Sequence, residues 1–208
     1  GFKRLLIEHN KALTAFMFLF MGFVVAFSFW YIVFPSGNQS FRAQIETYCM
    51  INKPTHFDEC VSEYGVEHIS KTTGFLTSKE KIVNIFANNI YVLIFTLVFS
   101  LIFGAGAIFI LAWNASVISS AIGIFSEAKL INLPLGLARY MIHGIPEIGA
   151  YFIGAIAGGI ISIAIIKHEV HTEKFWTILQ DSLNLVIIAV IVLFLAALIE
   201  VFITPVIF

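Results

Sequence analysis

Arg139, His143 and Glu147 stand four residues apart inside an apolar run from Leu133 to Ile166 that is long enough to cross a bilayer. On a continuous helix that spacing lines them along one face. An ionisable side chain inside a membrane span costs roughly 2.5–3.5 kcal/mol on insertion scales, so such groups face a protein interior or a wet cavity and pair there. Three other polar residues can reach the same depth: Asn88 and Asn89, where an earlier apolar run enters the hydrocarbon, and Glu200 near the end of the last one. At about 1.5 Å per residue, His143 lies roughly 13 Å beyond Pro134, with Glu147 about one turn deeper. The six residues form a candidate intramembrane polar cluster.

Several chemistries suit that set. The Arg139 guanidinium against Glu147 or Glu200, bridged by His143, neutralises buried charge and fixes how the helices pack. Glutamate and histidine can instead relay protons or ions. His143-x-x-x-Glu147 puts two ligands on one helix face, and Glu200 from another helix could complete a site for zinc or another divalent metal. This is not H-E-x-x-H, since it offers one histidine and no adjacent general base. No serine or cysteine is evidently placed beside His143 at depth, which argues against a nucleophile-based hydrolase. A recognition surface for a lipid or a partner helix is a further use. The packing clasp is the expected one. It implies a structural or partner-assembling role rather than an enzyme and needs no cofactor. The alternatives are an oligomeric ion or small-solute channel or transporter, and a metal-dependent intramembrane hydrolase.

The elements that position these residues are membrane helices. Of 208 residues, 59% are hydrophobic and 12% charged, against about 25% charged in soluble domains. Several apolar runs of around 20 residues, continuous rather than alternating, read as helices and not as a β-barrel. The expected fold is an all-α polytopic transmembrane bundle of about five membrane helices, one short or re-entrant, with an external segment. A net charge of −1 gives no support for a nucleic-acid partner.

Residues 1–34 read as an amphipathic lead-in followed by a first membrane helix. That helix is too long for a signal peptide and lacks an A-x-A site, so it is expected to remain. Residues 35–81 read as the external segment. Its Cys49 and Cys60, the two cysteines of the chain, could close a small disulfide loop. A metal site with His56, Asp58, Glu59 and Cys60 matches no standard zinc spacing. Thr77 and Glu80 form a plausible capping box. Residues 82–208 read as the membrane core. A helix is expected from about 81 to 113, with Gly104 and Gly106 as a close-packing site. A tight turn follows at Asn114 and then a short apolar segment, 115–125. Pro134 opens the helix that carries the cluster, and Gly154 and Gly158 give it a G-x-x-x-G packing face for another helix or a second copy. The last helix is expected over about 181–203, stopping at Pro205.

If the short segment crosses, the basic N-terminus lies on the same side as Lys167 and Lys174, and that side is cytoplasmic by the positive-inside rule. The cysteine-bearing segment is then outside, where a disulfide is expected to persist. The implied location is the cell membrane, with the lipid bilayer, a membrane-protein partner or a second copy as the surroundings.

Phe86-Ala87-Asn88-Asn89, Gly104 and Gly106, Asn114, His143-Gly144-Ile145-Pro146-Glu147 and the closing Ile199-Glu200-Val201-Phe202-Ile203-Thr204-Pro205 occur together and in this order. In this the chain resembles the stage II sporulation protein M family over about residues 82–208, and more loosely to the first helix. The resemblance implies a multi-helix membrane protein without established catalytic activity, in which Asn89, His143, Glu147 and Glu200 matter. The family's namesake acts during engulfment in spore-forming bacteria, with membrane-associated cell-wall hydrolases.

Overall fold

The structure is a computed structural model that describes residues 2–34, 37–53, 56–64, 78–103, 107–127, 129–168, 170 and 172–208. The described chain is helical throughout: α1 (Phe2–Val33), α2 (Gly37–Ser40), α3 (Arg42–Asn52), α4 (Phe57–Glu63), α5 (Ser78–Phe103), α6 (Ala107–Phe125), α7 (Leu133–Ile166), α8 (Glu173–Leu198), a π-helical turn over Ile199–Ile203, and α9 (Thr204–Ile207). Five of the described helices are long and apolar enough to cross a membrane, and the protein is a multi-pass membrane protein.

Several expected boundaries move. α1 runs unbroken from Phe2, so the lead-in forms the first turns of the membrane helix. Asn114 is not at a turn. It lies mid-way along α6, and the segment expected to be short or re-entrant is the second half of this 19-residue helix. α5 is described to Phe103 and α6 from Ala107, and the two pack against each other, so the helix expected over about 81–113 is not one element. Gly104 and Gly106 themselves, like Thr77 of the capping box, lie outside the described residues. α8 begins at Glu173 rather than 181, because a helix can continue past the hydrocarbon on polar residues.

α7 is the hub, packed against α5, α6 and α8. Lipid is as apolar as leucine, so tight packing and interhelical hydrogen bonds take over from the hydrophobic effect in holding such a bundle together. The buried positions fit that rule: Ala115, Ala150, Ala157, Ala189, Ala196 and Ala197 are inaccessible. Serines add crosslinks: Ser100 Oγ donates to the Ala155 carbonyl at 2.6 Å and Ser182 Oγ to Ala157 at 3.1 Å. A Cβ at Gly154 would collide with the Leu93 side chain. One at Gly158 would collide with the Leu97 carbonyl and crowd the Leu101 amide. The G-x-x-x-G face is therefore occupied by α5 of the same chain and is not free to join a second copy.

Cys49 and Cys60 are joined by a disulfide that ties α3 to α4. Around it Tyr31, Phe41, Ile45 and Val61 form a second buried cluster. The start of the segment read as external is not free-standing. Gln44 Nε2 donates to Ser116 Oγ at 3.2 Å, and Ser116 lies nine residues before the end of α6, about 13 Å along the axis. α3 thus lies against the side of α6 as far as its midpoint.

Candidate functional site

Four helices bring polar side chains into one layer. From α7, Glu147 and Tyr151 are buried one turn apart; from α5, Asn89 is buried between them. Asn89 Nδ2 donates to Glu147 Oε1 at 2.7 Å, and the Tyr151 hydroxyl donates to Asn89 Oδ1 at 3.0 Å. Both faces of one amide are used, which is how a polar group is best tolerated in hydrocarbon. Asn114 reaches the Tyr151 hydroxyl from α6. Asn114, expected at a turn, therefore belongs to the network. Asn88 makes only a 3.5 Å contact with Asn89.

Glu200 arrives from the end of the last long helix and interacts electrostatically with Glu147. It sits in the π-helical turn. Pro205 has no N–H for the Val201 carbonyl, and the backbone widens there so that the Thr204 amide bonds the Ile199 carbonyl. Such π turns recur at functional sites. The opposite charge acting on Glu200 comes from Lys81 in the first turn of α5.

His143 is buried, and its hydrogen-bond partner is Thr204. Its Nδ1 lies 3.3 Å from Thr204 Oγ1, and that hydroxyl also lies 3.2 Å from the Ile199 carbonyl. A hydroxyl has one hydrogen, so which of the two receives it depends on the imidazole tautomer. Tyr140 packs edge-on against the imidazole with centroids 6.0 Å apart and hydrogen-bonds Tyr48 of α3. The disulfide-bearing segment is therefore linked to the flank of the site.

Arg139 departs from the expected clasp. Its guanidinium lies 4.7 Å above the Phe125 ring, a cation–π contact. The ion pairs Arg42–Glu46, Lys53–Glu63, His56–Glu59 and Lys129–Glu127 all lie outside the cluster. The reason is angular. Each four-residue step advances about 40° around a helix of 3.6 residues per turn, so Arg139 lies about 80° from Glu147 and faces α6. His143, Glu147 and Glu200 likewise do not gather as a ligand set, and no group of three metal-ligating side chains occurs among the described residues.

With this geometry in place, the comparison with known proteins is informative. A family model described as stage II sporulation protein M matches residues 12–205. The chain belongs to the stage II sporulation protein M family. The match takes in the first four spans, the fifth as far as Pro205, and every residue of the polar layer. The chain is also 36% identical over 130 residues to an uncharacterized protein of Methanocaldococcus jannaschii, covering 59% of this chain and 70% of that relative. No solved structure matches.

Within this family member, inspection of the sequence missed Tyr151, Thr204 and Lys81 as partners. Tyr151 was within reach, because it continues the stripe of Arg139, His143 and Glu147 by one more step of four. Thr204 falls in the closing motif and Lys81 at the expected start of a helix, and neither place marks a partner.

Proposed function

We propose that this stage II sporulation protein M family member is a structural, partner-assembling component of the membrane. Its buried polar layer locks α5, α6, α7 and the end of α8 into one arrangement. The observation that carries this reading is the closed pairing of Asn89 with Glu147 and Tyr151. Both hydrogen bonds run between α5 and α7, and partnered buried polar groups favour one packing over others. The partner is a membrane protein, engaged from the lipid-facing or disulfide-bearing surface. The test is gentle detergent extraction from native membranes, comparing the chain with Glu147→Gln. A partner retained by the first and lost by the second supports the reading. No retained partner in either argues against it.

A second reading has its own observation. Glu147 and Glu200 share one apolar layer, and two acidic groups there need a proton or a cation between them. A proton- or cation-conducting role follows, measured as flux in proteoliposomes. Flux that vanishes in Glu147→Gln would replace assembly as the function.

The orientation that fits both readings puts the N-terminus and the α7–α8 connection, with Lys167 and Lys174, in the cytoplasm. The disulfide then faces the oxidising side. Labelling of His168→Cys by an impermeant maleimide in intact cells is expected to fail, and to succeed after lysis.

A further inference from the structure

A groove of about 460 Å³ opens on the side of the bundle, beside α3 and away from the polar layer. Phe27 and Trp30 of α1, Phe41 and Gln44 at the start of α3, and Phe109 and Trp113 of α6 form its walls. The α1 and α6 residues belong to membrane spans, so the groove opens at hydrocarbon depth. Trp30, Phe109 and Trp113 are 49%, 68% and 43% exposed there. Gln44 closes one wall by donating to Ser116, which in turn donates to the Trp113 carbonyl at 2.6 Å. The wall is latched and is not free to collapse inward.

We infer that this groove is a binding site for a single hydrocarbon chain of a membrane lipid, held long enough to be specific rather than exchanging as solvent. An unfilled crevice forfeits the dispersion contacts of its whole lining, and an apolar lining does not hold water. A crossing helix is too wide: at ~10 Å diameter and ~5.4 Å pitch, about one turn would fill the space. One chain fits, lying along the α6 wall, which runs about 10 Å from Phe109 to Ser116. The aromatic rings give it flat, rigid walls. Because Tyr48, one turn beyond Gln44, hydrogen-bonds Tyr140, occupancy of the groove also bears on the position of α3 against the polar layer.

The test uses the full chain in detergent with Trp176→Phe, which removes the one tryptophan outside the groove. Phosphatidylcholine brominated on its acyl chains is titrated in, and tryptophan fluorescence is read. Saturable quenching at about one lipid per chain is expected, reversed by unbrominated lipid and at least several-fold weaker in Ala112→Phe, which fills the groove from α6. Quenching that follows the lipid fraction of the micelle without a plateau overturns the inference. A second arm needs no folding-sensitive change: Phe109→benzoylphenylalanine, irradiated in native membranes. An adduct of lipid mass is expected. A polypeptide adduct, from another protein or a second copy, overturns the inference in favour of a protein occupant.

Discussion

Replacing Asn89 with alanine removes the 2.7 Å bond to Glu147 and the 3.0 Å bond from Tyr151 together. Double-mutant cycles on interhelical hydrogen bonds in a membrane protein average only ~0.6 kcal/mol each, so the two bonds alone are worth about 1 kcal/mol. The larger part comes from what is stranded. A buried carboxyl and a buried phenol lose partners, and each unsatisfied group costs roughly 1–3 kcal/mol. Partial relaxation reduces this, and the expected loss is about 2–4 kcal/mol. The neighbouring residue supplies the control. Asn88 is also an asparagine on α5, but its 3.5 Å contact lies at the limit of a hydrogen bond, so Asn88→Ala should cost under about 0.5 kcal/mol. The assay is equilibrium unfolding in mixed micelles of a mild detergent and dodecyl sulfate, followed by loss of helical ellipticity. Equal losses for the two variants, or a loss below about 0.5 kcal/mol for Asn89→Ala, would refute the claim that this network locks the bundle.

Gly158→Ala should destabilise by about 1–3 kcal/mol, because the added methyl meets the backbone of α5 and not a movable side chain. Gly149→Ala, with nothing within 4 Å of the new atom, should be neutral or slightly stabilising in the same unfolding assay. Reducing Cys49–Cys60, or replacing both with serine, should remove about 3 kcal/mol of restraint on α3 and α4. The long spans should stay helical; protease cleavage confined to the region of residues 41–64 is the expected readout. Burial, helped by Tyr48 and Glu63, pushes the Tyr64 phenol from 10 up to about 12. Between those values the folded chain keeps a proton that the unfolded chain releases, so stability falls as pH rises through that window. A phenolate absorbance titration should lose one phenol's share of its late rise in Tyr64→Phe.

What could be read in advance follows a physical division. Continuous apolar runs require helices, because an unpaired backbone group is too costly in lipid. That requirement made five spans legible, and depth counting from Pro134 put Glu147 in one layer with Asn89 before any contact was known. The Cys49–Cys60 pair was equally local, two cysteines in one short segment. That 81–125 makes two packed helices was not legible, because hydropathy along one apolar run does not say where one helix ends and the next begins.

Composition and periodicity determined membrane insertion and the five candidate spans, since both depend on properties carried by neighbouring residues along the chain, whereas the place of Asn114 within α6 came only with the fold. Tertiary structure alone decided who meets whom. Asn89 and Glu147 are 58 residues apart, His143 and Thr204 61 apart, and Gln44 and Ser116 72 apart. Which neighbour each face receives depends on azimuth and on the order of helices around α7. Rotation by about 40° per step carried Arg139 past the glutamates to Phe125, and close approach of α5 used the Gly154–Gly158 face that a second copy might otherwise have taken.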